Sequence, residues 1–331
     1  MPLSDMYGRA FEFSVAKSIL SELEKLYPRK VKMTSRTKEA QRNGLEQFES
    51  LTGKQKNQFE RSGRKIAEWL AENRLKDIEK MRFEKHGETL LSFLRKESIS
   101  REIDEAELDR IPDIAGVRGD VTDIRIKFFS KDSVATINVS IKHRHEALKH
   151  PRLTRAPAWI GLENTKEEKE YLAAYETIWS AFFQKGRELS PGARRFRELK
   201  AIDPAFVVRN LYDPLYTLVT RFLQKNIANP IQVQKMFDFM VGNFDYVKFI
   251  DHDGRIEVRD FSDIPKPNSV EIEYEGDGYL YLQFDNGWRI SGRLHTATQW
   301  LKKSIKFDIQ PVNLDSMVPA VHIEISSQTL T

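Results

Sequence analysis

Asp123, Ser140 and Lys142 are the residues whose types and spacing suggest chemistry in this chain of 331 residues. Two stretches carry them, Gly119-Asp120-Val121-Thr122-Asp123-Ile124-Arg125-Ile126 and Asn138-Val139-Ser140-Ile141-Lys142-His143-Arg144-His145. They read as two strands of one hairpin, the first opening on acids and the second closing on a lysine. Side chains alternate along a strand. Asn138, Ser140 and Lys142 therefore share one face, Ile137, Val139 and Ile141 the other, and Asp123 opposes the parity of Ile124, Ile126 and Phe128. Carboxylates beside a lysine are what in-line attack of water on a phosphodiester requires. They supply oxygen ligands for Mg2+, a bound water of lowered pKa and positive charge for the phosphate. Asp123, the backbone beside Ser140, and Lys142 fit those roles. Asp123 is the principal ligand, because an apolar run follows it directly, and Asp120 is a further candidate.

Other elements must position this hairpin. Residues 8–27 have the spacing of an amphipathic helix through Phe11, Val15, Ile19, Leu23 and Leu26, stopped by Pro28. Glu12 lies at the edge of that apolar stripe, where a carboxylate is costly unless neutralised. It either pairs with Arg9 or reaches solvent, or it supplies the carboxylate that Ser140 cannot. Residues 34–102 are polar and read as mostly helical, with a face marked by Trp69, Leu70 and Leu75 and a further helix marked by Phe83, Leu90, Leu91, Phe93 and Leu94. The acidic run from Glu102 to Glu107 reads as a solvated helix start, and Pro112-Asp113, before Gly116, as a turn. His143 to His150 reads as a short helix closed by Pro151, and 165–243 as helices with Tyr171, Leu172, Tyr175, Ile178 and Trp179 on one stripe. From Tyr246 the period becomes two. Val270, Ile272 and Tyr274 alternate with glutamates, Asn286-Gly287 marks a hairpin, and Val318 to Ile325 alternate likewise.

The chain has no cysteine, which excludes disulfides, thiolate zinc sites and cysteine nucleophiles. Met1-Pro2-Leu3-Ser4-Asp5 is no signal-peptide start, and no apolar run nears the ~20 residues that span a bilayer. A net charge of +4 says little; its distribution says more. Between Arg125 and Arg155 eight Lys and Arg residues meet only Asp132 and Glu146, with His143, His145 and His150 among them. Such a cluster suits a polyanionic partner, or is a solvated face.

The hairpin resembles the PD-(D/E)XK nuclease fold, with Ser140-Ile141-Lys142 standing where that fold has acid-x-lysine. Further stretches narrow the resemblance to the HaeIII-type family of type II restriction endonucleases. They are Tyr7-Gly8-Arg9-Ala10-Phe11-Glu12-Phe13, Gly119 to Ile124, Val139 to Leu153, Gly287-Trp288-Arg289-Ile290, Arg293 to Ala297 and Ser304 to Asp308. The resemblance implies an α/β (α+β) fold: a mixed-sheet core flanked by helices, with helical insertions and a C-terminal β-rich region. It implies a magnesium-dependent type II site-specific deoxyribonuclease that cuts double-stranded DNA, in that family at GGCC. The lack of cysteine, of a signal-peptide start and of a spanning run suits a cytoplasmic setting, in a bacterial or archaeal cell; a palindromic target favours a homodimer, and the resemblance also implies a cognate methyltransferase. The expected division is 1–245 for the nuclease core, with the catalytic hairpin at 118–145, and 246–331 for a region that completes the fold and contacts DNA. Asp123, Glu12 and Asp120 are the candidate metal ligands, and Lys142 and Ser140 complete the candidate catalytic set. Candidate DNA contacts are His143, Arg144, His145, Lys149, Arg152 and a strand row of Arg289, Arg293 and His295. That row instead pairs with Glu271, Glu273 and Glu275 if those lie on its neighbour. Zinc binding by His143 and His145, an HNH-type site using either histidine as base, a catalytically dead DNA-binding protein and a structure-specific repair nuclease remain as rivals.

Overall fold

Ile124–Ser130 (β4) and Ser133–His143 (β5) pair antiparallel, with Ile124 opposite Val139 and Ile126 opposite Ile137. The structure, a computed structural model, describes residues 3–75, 84–85, 103–112, 120–131, 133–144, 148–296 and 298–325. Around the hairpin a mixed sheet is assembled in the order β1-β3-β4-β5-β6-β7-β12, with β2 beside the start of β5. Its other strands are β1 (Val31–Met33), β2 (Glu84–Lys85), β3 (Glu105–Arg110), β6 (Val247–Asp251), β7 (Arg255–Asp260) and β12 (Val321–Glu324). β5 and β6 run parallel, as do β1 and β3, and the remaining neighbours on that path are antiparallel.

The apolar parity of β4 and β5 is covered by α1 (Leu3–Leu26), α2 (Ser35–Glu49) and α3 (Gly53–Leu70). Phe11, Val15, Ile19 and Leu23 are all buried there. Thr34 caps α2 and Thr52 with Gln55 forms a capping box on α3, each cap worth about 1 kcal/mol. Gly44 and Gly63 let α2 and α3 close on α1: a Cβ would fall 2.8 Å from Phe13 Cβ at Gly44 and 2.9 Å from the Ser14 carbonyl oxygen at Gly63. Glu12 is thus fixed on a helix clamped from two sides.

A second core joins α4 (Ala156–Trp159), α5 (Lys166–Leu189), α6 (Phe196–Ile202), α7 (Asp213–Asn226) and α8 (Pro230–Val241) to an antiparallel sheet of order β11-β10-β9-β8. Its strands are β8 (Val270–Tyr274), β9 (Tyr279–Phe284), β10 (Arg289–Thr296) and β11 (Ile305–Pro311), and α9 (Leu314–Met317) follows. Gly287, at φ 90°, turns the expected hairpin between β9 and β10. β6, β7 and β12 complete the first sheet, and buried residues between 261 and 318 join those of 148–246 in the second core.

One expected helix is a strand, and the described ends of another are not helical. Glu105–Arg110 is β3, since Ala106 and Leu108 turn inward while Glu105 and Glu107 pair with Lys32 and Lys127; period two outweighs helix propensity. His143 ends β5, Arg144 is left-handed at φ 55°, and Lys149 bridges to Ile309. The helix expected around Phe83, Leu90, Leu91, Phe93 and Leu94 lies outside the described residues apart from Glu84–Lys85. Asp113, Gly116, Gly119, His145 and Glu146 lie outside them too.

Candidate active site

Where β4 stops pairing, a carboxylate takes over its ladder. Asp123 still bonds through its backbone, donating to Val139 O at 2.9 Å and accepting from Ile111 N at 3.0 Å. Its Oδ2 then accepts from the Ile141 N–H at 2.6 Å, from Ser140 Oγ at 3.2 Å and from Lys142 Nζ at 3.0 Å. The parity that puts Ser140 and Lys142 on one face of β5 brings both to this oxygen, although Asp123 is 19 residues away from Lys142 in the chain.

Glu12 reaches the same region from α1. Its carboxylate is paired with Arg110, at the end of β3, rather than with Arg9. Burial raises the Glu12 pKa, the Asp123 charge raises it further, and Arg110 and Lys142 pull it back. The two acids therefore feel each other's charge. The two carboxylates offer oxygen donors suited to a hard divalent cation, which would relieve that repulsion. Asp120 is turned elsewhere. Its Oδ2 accepts from Arg125 at 2.9 Å and its Oδ1 from the Thr122 N–H at 3.0 Å, so the structure does not bring it to Asp123.

The expected DNA contacts divide. His143 lies on the apolar parity, with its ring 5.2 Å from Phe59 and 5.9 Å from Phe11, and its Nδ1 is 3.0 Å from the fully buried Asp251. Ser62 donates to Asp251 at 3.0 Å, and Arg144 pairs with Asp253. His143, Asp251 and Asp253 are the one group of three possible metal-binding side chains found among the described residues. It stands apart from Asp123 in its bonding and is already tied up by Ser62, Gln58 and Arg144. A solvent-facing base at His143 does not fit that packing. Lys149 packs its ammonium 4.0 Å from the Phe239 ring centre and donates to Phe239 O at 3.0 Å, and burial lowers its pKa to about 8. Arg152 donates to Ser304 at 2.6 Å.

On β10 the expected alternation is present. Ile290 and Leu294 are buried, and Arg289, Ser291, Arg293 and His295 lie on the opposite parity. Their neighbours are β9 and β11, so the glutamates of β8 are not their pairing partners. Arg289 lies over the Tyr281 ring at 4.9 Å, Arg293 is 3.6 Å from Asp308, and His295 is half-buried with its pKa lowered by burial. Arg110, Asp251 and Asp253 escaped the sequence reading. The alternation Glu105-Ala106-Glu107-Leu108 is the signal that would have placed Arg110 at a strand end.

Among the described residues no helix is long and apolar enough to cross a membrane. The family model for the HaeIII restriction endonuclease matches residues 8–262, which include Glu12, Asp123 and Lys142 and end before β8. The type II restriction enzyme HaeIII of Haemophilus aegyptius is 22% identical over 231 residues, 61% of this chain and 69% of that one. On a match of that extent, spanning the hairpin and the helix that carries Glu12, the chain belongs to the HaeIII restriction endonuclease family and is a DNA-binding nuclease.

Proposed function

We propose that the protein is a Mg2+-dependent type II restriction endonuclease that cuts both strands of duplex DNA at a short palindromic G/C-rich site, GGCC by analogy with its relatives. The observation that carries this is the 3.0 Å approach of Lys142 to Asp123 on adjoining strands, beside the partly buried Glu12 of α1. Asp123 and Glu12 would hold the cation, with the backbone beside Ser140 as a further oxygen donor. Bound there, the cation supplies a water of lowered pKa and charge for the phosphate. Lys142 orients the attacking water and neutralises the scissile phosphate, and the Ile141 N–H holds Asp123 Oδ2 in place. Arg289 and Arg293 on β10 are suited to guanine O6 and N7, the commonest specific contact. A palindrome favours a two-fold homodimer, and a cognate methyltransferase would protect the cell's own DNA in the cytoplasm.

Incubation of unmethylated plasmid with the protein and Mg2+, followed by mapping of fragment ends, tests the reading. Discrete fragments that end within GGCC are expected. A salt-sensitive gel shift without cleavage, or nicking confined to branched DNA, would refute it.

A further inference from the structure

Glu12 and Asp123 bring two negative charges to one region, and Arg110 and Lys142 bring two positive ones. The four side chains are 20–30% exposed. The local charge is therefore balanced before any divalent ion arrives, and a cation entering alone would leave two positive charges in excess. A DNA backbone brings the missing negative charge. A guanidinium binds phosphate and carboxylate with the same fork of donors. Arg110 is placed to use either. Its backbone N–H is anchored to Thr37 Oγ1 at 2.8 Å, while its side chain and that of Arg9 line a small cavity of about 30 Å³ with Glu12, Gln41 and Asn43.

From this charge balance we infer that Arg110 is a positioning residue: it occupies Glu12 until a backbone phosphate draws its guanidinium away, and so couples DNA binding to cation binding. The inference rests on the reading of Glu12 and Asp123 as cation ligands. Thermodynamic linkage makes the coupling reciprocal, so DNA must tighten the cation as much as the cation tightens DNA.

Mn2+ binding to the full chain, followed by the electron paramagnetic resonance of free Mn2+, tests it with and without a duplex already cut at the mapped position. Wild type should bind Mn2+ about tenfold more tightly when the duplex is present, a factor typical of coupled sites. Arg110→Gln should bind Mn2+ about tenfold more tightly than wild type without DNA, and should show no further gain on adding DNA. Arg110→Lys, which keeps the charge but not the fork, should fall between the two and covers the case in which Arg110→Gln fails to fold. Arg110 variants that bind Mn2+ no more tightly than wild type, or that keep the full DNA-induced gain, would overturn the coupling. Glu12→Gln should weaken Mn2+ at least tenfold. Unchanged binding in that variant would instead remove the ligand reading, and the coupling with it.

Discussion

Ser140→Asp would place a second carboxylate where this chain has a hydroxyl. Ser140 is 2% exposed and its Oγ lies 3.2 Å from Asp123 Oδ2. An aspartate there would bring two negative charges to about 4 Å, where they repel by about 4 kcal/mol at an effective dielectric of 20. Lys142, 3.0 Å from Asp123, offsets part of this, and protonation of one acid caps the rest. We expect the variant to lose about 2–4 kcal/mol of stability in chelator, read as a lower urea midpoint at pH 7.5. Mg2+ should reverse most of the loss, because a cation between two carboxylates binds the native state alone; at a hundred times its Kd it restores about 2.7 kcal/mol. Wild type, with fewer acids, should respond less to Mg2+. A variant as stable as wild type in chelator, or one whose midpoint ignores Mg2+, would show that position 140 does not face the cation.

Lys142→Ala should lower cleavage by roughly 10²–10⁴-fold while leaving DNA affinity nearly unchanged, and a normal cutting rate would remove the role given to this lysine. Arg293→Ala or Arg289→Ala should relax base preference by roughly 1–3 kcal/mol per bidentate pair lost; uniform weakening on every sequence would mark a phosphate contact. Lys149 titrates near 8 when folded against about 10.5 when unfolded. The unfolded chain then holds more protons above pH 8, so this residue adds stability as pH rises through that window. From pH 7 to 9.5 wild type should gain about 2 kcal/mol relative to Lys149→Met, measured by urea unfolding of both proteins at both pH values. A constant difference between them would show that Lys149 is solvated rather than packed on Phe239.

Local rules made the hairpin readable. Alternation over 137–142 fixes the faces, and a one-residue slip would bury Lys142 among the isoleucines, so the meeting of Asp123 with Ser140 and Lys142 was implicit in parity alone. The same parity sends His143 inward, yet its histidine-rich surroundings suggested solvent and phosphate; what decided otherwise was Asp251, an acid that ends β6 more than a hundred residues later. Glu12 shows the same limit from the other side. Its place on the apolar stripe announced that some cation must neutralise it, but a helix pattern names only neighbours three or four residues away, and Arg9 was the nearest arginine. The actual partner, Arg110, comes from β3, whose acidic composition hid a strand behind a helix-like sequence. Asp120 is held locally instead, since Arg125 lies on the same strand end and its guanidinium pairs with the mostly buried Asp120 carboxylate. A charge within an apolar pattern thus states a requirement, and only the register of distant strands states who meets it.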